Sequence, residues 1–536
     1  MDPTLFFLGP MKGVGVSPTP LNLPKISRNK EAAMSQITVT DTPIGTLSDA
    51  WKHCVGTGRM NLALRADDQA SLALIQDEIG FTHIRGHGML SDDMGIVQTS
   101  QGMMRYSYTY LDQVFDTYMS LGIKPFLELG FMPGALASGD QTVFWWRGNV
   151  TPPRDYAEWT ALVKALLTHL ISRYGLAEVL TWPVEVWNEP NLPHFWKDAD
   201  QQEYFKLYDC TARAVKEVDA SLMVGGPAVS PGADPWYSAF ADYVLAHDTP
   251  VDFISGHAYA TGPAQHIPFG VYQTLEQPTW LLEQFATPRR MLAGKGNLAS
   301  LPVHITEFNT SYRPDNPIHD TAYNAAFLAP VLAFGGSAAD SFSYWTFCDV
   351  FEEENIPTSI FHGGFGLLTH RQIRKPTYHL YTFMAAMGPQ ILAQGADHLV
   401  TRHEDGRITI LAWQPLGGTA EGVYGAAPFE HRISLTVPCR ASRMTMVRRR
   451  VNEHMGNAWT AWRELGRPAS PDLHTLDLLE EASWPGVEHA SYCPEGGFLD
   501  LGLTLDQHEV TLIELIPVTP EIHEGLDDGR LLGQEP

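Results

Sequence analysis

The sequence has few or none of the features that mark disulfide-bonded, metal-binding, membrane-spanning or nucleic-acid-binding proteins. The cysteines are odd in number, scattered and without CxxC spacing: Cys54, Cys210, Cys348, Cys439 and Cys493. This usage indicates reduced thiols and a cytoplasmic location, and it argues against a disulfide framework or a zinc site. The 21 histidines include no HExxH spacing, so we expect neither a metal nor another cofactor.

Long apolar runs and positive charge are also lacking. No run reaches the ~18–20 residues of a membrane span, and the short apolar run 5–8 has no basic segment before it, as a signal peptide would. Lys and Arg number 36 against 61 Asp and Glu, a formal net charge of −25. Such a surface repels polyphosphate and anionic membranes, so we expect no nucleic acid and no membrane as partner. The sequence leaves the oligomeric state open, and a homo-oligomer is compatible with it.

Length and aromatic content point to a large protein with a carbohydrate ligand. With 536 residues and 44% hydrophobic residues, the chain is long enough for one large domain and at least one smaller one. Aromatic residues make up 11%, including 14 Trp. Aromatic faces stack on the apolar C–H surface of sugar rings, although such residues also serve as ordinary core.

The segment 44–385 alternates short β-rich runs with longer amphipathic helices. The helical periodicity is clearest in 159–174, which ends at Gly175. Eight strand candidates precede or separate the helices: 54–56, 82–86, 124–130, 184–189, 222–226, 253–259, 303–309 and 342–347. Eight strands separated by helices predict an α/β fold, a (β/α)₈ TIM barrel.

The remaining segments have a different texture. Alternating apolar and polar residues recur in 407–413, 431–437 and 509–516, between turns rich in Gly, Pro and charge. We expect residues 34–43 and 386–519 to form an accessory antiparallel β-sandwich, to which the short run 37–40 contributes. Residues 1–33 are predicted to be a poorly ordered N-terminal extension, and 520–536 a C-terminal tail.

Two strand candidates carry a glutamate near their carboxyl ends, where the active sites of such barrels form. The segment VEVWNEPN (184–191) starts as a buried strand and breaks at Pro190, which leaves Asn188 and Glu189 at the strand end. The segment VHITEFN (303–309) places Glu307 late in the seventh strand. Two carboxylates on strand ends of one barrel can face each other across its mouth; the alternative is a pair of strand-end carboxylates in surface salt bridges.

A facing pair of carboxyl groups is what glycoside hydrolysis requires. One stays protonated and donates to the leaving oxygen, while the other attacks the anomeric carbon; a separation of about 5 Å favours retention and about 6.5–9.5 Å favours inversion. We assign Glu189 as acid/base, because Asn188 beside it can hydrogen-bond the sugar 2-hydroxyl. Glu307 is then the nucleophile, and its negative charge is expected to keep Glu189 protonated until the glycosyl–enzyme forms.

Other polar and aromatic residues end neighbouring strands. His87 ends the second strand and either binds a sugar hydroxyl or is a core or loop histidine. His257 and Tyr259 end the sixth strand and point the same way, being two residues apart. Tyr259 either hydrogen-bonds Glu307 or is an ordinary buried barrel tyrosine.

The eighth strand and the loops supply the remaining candidates. Trp345 is a candidate platform for the sugar ring. Glu352 and Glu353 either accept hydrogen bonds from hydroxyls or belong to a solvated acidic turn. Phe195, just after Glu189, either walls the site or packs at the start of a helix.

These residues together resemble glycoside hydrolase family 39, which contains β-xylosidases and α-L-iduronidases. The resemblance covers roughly residues 44–390 and rests on further motifs in the same order: CVGTGR (54–59), IRGHG (84–88), ELGFMP (128–133), GGPA (225–228) and HGGFGL (362–367). By this resemblance Glu189 is the acid/base and Glu307 the nucleophile. It also implies sugar contacts at the non-reducing end for His87, Asn188, His257, Tyr259, Trp345 and Glu353.

Within that family, WNEPNLPHFWK (187–197) and YFKLY (204–208) are similar to the bacterial β-xylosidase branch. The resemblance therefore implies a retaining exo-β-1,4-xylosidase that releases D-xylose from the non-reducing end of xylo-oligosaccharides. The alternatives are another exo-glycosidase of the family, acting on iduronides or arabinosides, and a catalytically silent carbohydrate-binding protein.

Overall fold

The computed structural model describes residues 35–101, 103–267, 270–414 and 430–518. The extension predicted for residues 1–33 and the tail predicted for 520–536 lie outside these ranges. The description below therefore concerns the catalytic and accessory regions only.

Eight parallel strands close into a barrel, as the sequence predicts. In chain order they are Cys54–Arg59, His83–His87, Lys124–Leu129, Val184–Val186, Val224–Val229, Phe253–Tyr259, Val303–Asn309 and Ser341–Tyr344. The sixth and seventh strands have the predicted bounds. The fourth ends at Val186 rather than at Glu189, because Trp187 and Glu189 both adopt left-handed backbone conformations, with φ of 72° and 44°.

Helices surround the barrel. They are Ala66–Glu78, Thr109–Ser120, Tyr156–Tyr174, Leu176–Val179, Gln201–Val218, Asp234–His247, Pro278–Met291, Ala322–Phe334 and Pro376–Ala385. The third shows how the sequence sets such a helix. The Asp155 carboxylate accepts a hydrogen bond from the Ala157 amide at its start, Leu162 and Leu166 are fully buried, and Gly175 ends it with φ of 87°.

Three small antiparallel hairpins extend the loops that follow barrel strands two, three and six. Their paired strands are Val97–Ser100 with Met103–Tyr106, Thr142–Val143 with Gly148–Asn149, and Gln265–Ile267 with Gly270–Tyr272. Loops that follow parallel strands lie at the carboxyl end of a barrel. The hairpins therefore enlarge the end that carries the candidate active site.

The accessory region contains two sheets. The larger has seven strands, in the order Gly45–Thr46, Gln390–Gln394, His398–Arg402, Ile408–Trp413, Val510–Pro517, Met444–Val451 and Gly486–Tyr492; the smaller is Ser35–Thr38, His431–Pro438 and Phe498–Leu505. All pairings are antiparallel except that of Ser35–Thr38, which joins His431–Pro438 in parallel. Apolar side chains from both sheets form one hydrophobic cluster.

Two further helices interrupt the accessory strands, Ala458–Glu464 and Leu473–Ala482. They follow Met444–Val451 in the chain and were not anticipated from the sequence. In the ranges described here, no helix combines the length and the apolar character that crossing a membrane requires.

Candidate active site

A buried arginine connects the strand ends at the carboxyl end of the barrel. Arg85, fully buried in the second strand, contacts carboxylates from three other strands: Glu185 Oε2 at 2.5 Å, Glu307 Oε1 at 2.8 Å and Glu128 Oε2 at 3.0 Å. It also donates a hydrogen bond to Asn188 Oδ1 at 2.9 Å. The guanidinium thus aligns the predicted nucleophile with the asparagine that precedes the predicted acid/base.

Arg85, Glu128 and Glu185 were not among the residues predicted for the site. All three lie inside predicted strands, and buried charges are rare unless they are paired. Their signal in the sequence was therefore the presence of charged residues in strands that a closed barrel must bury. Burial opposes the charged form of Arg85, but the three surrounding carboxylates outweigh it and raise the pKa of Arg85.

Glu189 lies just beyond the fourth strand and is 8% exposed. Its amide donates to Ala228 O at 2.9 Å, which fixes the unusual backbone conformation after the strand. Burial raises the pKa of Glu189 to about 7, partly offset by nearby His194, His87 and Arg85. The carboxyl group is therefore suited to carry a proton near neutral pH, and burial is the largest cause.

Glu307 is held by two donors, one on each oxygen. Arg85 Nη1 donates to Oε1 and the Tyr259 hydroxyl donates to Oε2, both at 2.8 Å. These two contacts fix the orientation of the Glu307 carboxylate. Tyr259 is buried, and burial, with the charge of Glu307, raises its pKa well above the ordinary value, so its hydroxyl keeps the proton that it donates.

His257 lies between the two glutamates. Its Nδ1 is 2.8 Å from Glu189 Oε1 and 3.5 Å from Glu307 Oε2. Burial lowers the pKa of His257 to about 4, so the ring is neutral at neutral pH. Its Nε2 is buried and has no hydrogen-bond partner among the residues that the structure describes. One ligand atom from each of Glu189, His257 and Glu307 lies within 4.8 Å of the others. The two carboxyl groups are thus close enough for one of them to attack the anomeric carbon of a bound sugar while the other protonates the leaving oxygen.

The same trio also has the spacing of a metal site. In the part of the chain that the structure describes, it is the one group of His, Cys, Asp and Glu side chains close enough to hold an ion. Its atoms already contact one another, Arg85 and Tyr259. These contacts fit a pair of catalytic carboxyl groups, one a proton donor and the other a nucleophile.

His87 also lines the site, and a carboxylate lies behind its ring. Its Nδ1 lies 2.7 Å from Glu128 Oε2, and its Nε2 faces Glu307 Oε1 at 3.5 Å. Burial would lower the pKa of His87, but the Glu128 carboxylate outweighs burial and the pKa rises to about 9. Burial would raise the pKa of Glu128, but the neighbouring His87 and Arg85 outweigh burial and lower it below the ordinary value.

Glu353 and Trp345 close the site beyond His87. Glu353 Oε1 lies 3.8 Å from His87 Nε2, and the Trp345 ring centroid lies 4.6 Å from that of His87. Burial raises the pKa of Glu353 to about 8, with Glu307 and Glu189 adding to the rise. A neutral carboxyl group is both donor and acceptor, so Glu353 can hydrogen-bond a sugar hydroxyl in either sense.

The acidic loop is not a simple solvated turn. Glu352 is 6% exposed and pairs with Arg65 at 3.0 Å and Arg59 at 3.4 Å, and Glu354 pairs with Arg313 at 2.7 Å. The two flanking glutamates thus fix the loop while Glu353 enters the site. Glu352 lies beside the site, but its carboxylate pairs with Arg65 and Arg59.

Phe195 belongs to an aromatic wall on the side of Glu189. Its ring stacks on Phe131 at 6.2 Å between centroids and meets Phe144 edge-on at 5.4 Å. Phe144 in turn lies 6.1 Å from the His87 ring. The structure thus brings every predicted site residue to one end of the barrel.

Comparison with known proteins agrees with this geometry. Residues 36–499 match the family model described as glycosyl hydrolases family 39. A β-xylosidase of Geobacillus stearothermophilus is 48% identical over 490 residues, 90% of this chain and 96% of that protein. A β-xylosidase of Caldicellulosiruptor saccharolyticus is 35% identical over 84% of this chain and 91% of its own length.

A solved structure extends the similarity to three dimensions. The crystal structure of a monomeric β-xylosidase from Caulobacter crescentus CB15 superposes with a TM-score of 0.83 at 32% identity. The match covers 91% of this chain and all of that one. The fold of this chain therefore has a counterpart of nearly the same extent.

Proposed function

We propose, since this chain belongs to glycosyl hydrolase family 39, that it is an exo-acting β-D-xylosidase releasing xylose from the non-reducing end of xylo-oligosaccharides. The chain is a glycoside hydrolase of a retaining family. The observation that supports the roles within it is the pairing of a buried Glu189, whose pKa is raised to about 7, with a Glu307 fixed by Arg85 and Tyr259.

In the first step, a Glu307 oxygen attacks the anomeric carbon of the terminal xylose. The glycosidic C–O bond breaks, its electron pair goes to the leaving oxygen, and that oxygen takes the proton of Glu189. Asn188, oriented by Arg85, is in reach of the sugar 2-hydroxyl and stabilises the transition state there. The products of this step are the shortened saccharide and a xylosyl ester of Glu307.

In the second step, Glu189 has lost its proton and acts as base. It takes a proton from a water molecule whose oxygen attacks the anomeric carbon, and the ester bond to Glu307 breaks. Xylose leaves with its original anomeric configuration, Glu189 is protonated again, and Glu307 returns to the carboxylate bound by Tyr259. No cofactor enters either step.

Charge supports a neutral sugar over a uronide. Glu189, Glu307 and Glu353 surround the binding space, while the buried cations Arg85 and His87 are already paired with carboxylates. A substrate carboxylate would be repelled by the negative charge of Glu307, and both of these buried cations are already engaged. The neutral Glu353 carboxyl group, His257 Nε2 and the Trp345 ring instead suit the hydroxyls and apolar face of xylose.

The cellular location that we propose is the cytoplasm. All five cysteines are free. Thiols that stay unpaired are typical of a reducing compartment. Short xylosides imported into the cell would be the substrates in that case.

The test is hydrolysis of p-nitrophenyl β-D-xyloside by wild type and by Glu307→Ala, each with and without azide. Removing the nucleophile is expected to lower kcat by about 10⁴-fold or more, because the covalent step is lost. Azide fills the vacated face and attacks the substrate directly, so it should restore turnover and form α-xylosyl azide.

Glu189→Ala is the matched control. It keeps the nucleophile, so azide attacks the glycosyl–enzyme from the other face and the product is β-xylosyl azide. Undiminished activity of Glu307→Ala would contradict the assignment of the nucleophile. Absence of wild-type activity on the xyloside would contradict the proposed substrate.

A further inference from the structure

A hairpin that the proposed mechanism does not use spans the rim of the site. Its strands are Thr142–Val143 and Gly148–Asn149. At its base, Gln141 Nε2 donates to Pro193 O at 2.7 Å, in the loop that follows Glu189. At its tip, the Trp145 amide donates to Glu353 O at 3.0 Å. The hairpin therefore links the acid/base loop to the loop that carries Glu353.

Three consecutive aromatic residues at the tip of this hairpin differ in their exposure. Phe144 contacts the His87 ring at 6.1 Å, and Trp146 contacts Phe131 at 6.0 Å, so both face inward. Trp145, between them, is 44% exposed. An indole left half in solvent at the rim of a sugar site is a ready stacking surface, because sugar C–H groups pack on aromatic faces.

The Trp145 ring is held in place from one side. The Arg59 guanidinium lies 5.4 Å from the Trp145 ring centroid and 5.8 Å from that of Trp146. Arg59 is itself fixed by Glu352 at 3.4 Å and Asp93 at 3.6 Å. A cation on one face orders the ring before any ligand arrives, which lowers the entropy cost of using its exposed surface.

We propose that Trp145 is the stacking platform for the leaving-group sugar, the residue next to the xylose that is released. This inference rests on the proposed function. The leaving oxygen takes its proton from Glu189, so the leaving group departs on the side of the acid/base loop. The hairpin is tied to that loop at its base through Pro193 and at its tip through Phe144, the neighbour of Trp145, which meets Phe195 edge-on at 5.4 Å. The platform acts on the part of the substrate that leaves, and the pocket around Glu307 and Glu353 is unchanged by it.

The experiment compares two substrates that share the xylosyl group and differ in the leaving group. Xylobiose presents a sugar ring to Trp145, whereas β-D-xylosyl fluoride presents a single atom. For Trp145→Ala we expect kcat/KM on xylobiose to fall about tenfold, the range of one aromatic contact, and kcat/KM on the fluoride to stay within about twofold. Trp145→Phe should retain most of the xylobiose activity, because it keeps an aromatic face.

The control is Trp484→Ala in the accessory region. Trp484 is 51% exposed and also stacks on an arginine, Arg374, at 4.3 Å. It should leave both substrates unaffected. Equal losses of Trp145→Ala on the two substrates, or no loss on xylobiose, would overturn the platform while leaving the proposed function intact. A wild type inactive on both substrates would instead contradict the proposed function, and the platform with it.

Discussion

Both ends of the barrel bury polar side chains inside a closed sheet, but they stabilise these side chains differently. At the carboxyl end, Arg85 and the protonated His87 are surrounded by carboxylates. At the amino end, three histidines stack on one another, and no carboxylate in the described part of the chain forms a hydrogen bond or ion pair with their rings. The His53 ring lies 4.7 Å from that of His83 and 5.5 Å from that of His304.

The same side chain therefore has opposite protonation at the two ends. The Glu128 carboxylate raises the pKa of His87 to about 9, whereas burial lowers the pKa of His304 to about 4 and that of His53 to about 3. Phe126 and Phe253 meet the His304 ring edge-on at 5.8 and 5.2 Å, which makes that end an aromatic core. The charged side chains thus lie at the carboxyl end, where the candidate active site is, and the neutral histidines of the amino end contribute to packing.

The comparison predicts the largest effect for a substitution that makes the carboxyl end resemble the amino end. Arg85→Met removes the cation and leaves Glu128, Glu185 and Glu307 without it. We expect kcat/KM to fall by at least about 10³-fold and the free energy of unfolding by about 3–5 kcal/mol. Steady-state kinetics on an aryl xyloside and urea unfolding measure the two effects.

Arg85→Lys is the matched variant for this test. It keeps the charge but cannot contact three carboxylates and Asn188 at once, since an ammonium lacks the planar fork of donors. It should recover much of the stability and little of the activity. A stable, fully active Arg85→Met would show that the ion cluster has no role in orienting Glu307.

A smaller effect concerns the proton on Glu189. Because its pKa is raised to about 7, kcat/KM should fall as pH rises through about 7, approaching tenfold per pH unit above it. Glu189→Gln should lose about 10²-fold or more on xylobiose, much less on a dinitrophenyl xyloside that needs no acid, and its basic limb should disappear. A basic limb that persists in Glu189→Gln would assign the titration to another group.

The sequence sufficed where one physical rule determines an element. The strands Phe253–Tyr259 and Val303–Asn309 match their predicted bounds, because both are short segments rich in β-branched and aromatic residues that a barrel buries. The seven-strand sheet was likewise recognisable from alternation in Ile408–Trp413 and Val510–Pro517. The roles of the site residues stay predictions, but their meeting at one end of the barrel follows from strand direction alone.

The sequence failed where distant contacts decide the local structure. The fourth strand stops early because Glu189 bonds Ala228 and Trp187 Nε1 donates to Phe195 O at 2.7 Å, interactions invisible in a local pattern. Arg85 was passed over because its partners lie on other strands. The helices Ala458–Glu464 and Leu473–Ala482 were missed because each is short and the strands around them dominate the pattern.

The smallest effect is expected at the amino end, in stability and without loss of activity. His304 stays neutral in the folded protein down to about pH 4, whereas in the unfolded chain it takes a proton near pH 6.5. Its contribution is therefore complete above about pH 6.5 and is lost as pH falls towards 4, about 2 kcal/mol between pH 7 and 5. For His87 the sign is reversed, since its contribution is present below about pH 6.5 and lost as pH rises through about 9.

His304→Gln separates these opposite slopes. Glutamine takes up no proton but can still hydrogen-bond Ser341, whose hydroxyl lies 2.6 Å from His304 Nδ1. Urea unfolding should show the variant less stable than wild type at pH 7 and the gap closing by pH 5, with kcat/KM at pH 7 unchanged. The exposed His489→Gln should follow the wild-type pH dependence. If His304→Gln instead lost stability in parallel with wild type as pH falls, the acid sensitivity would belong to other groups, and the protonation of His304 would have no role in it.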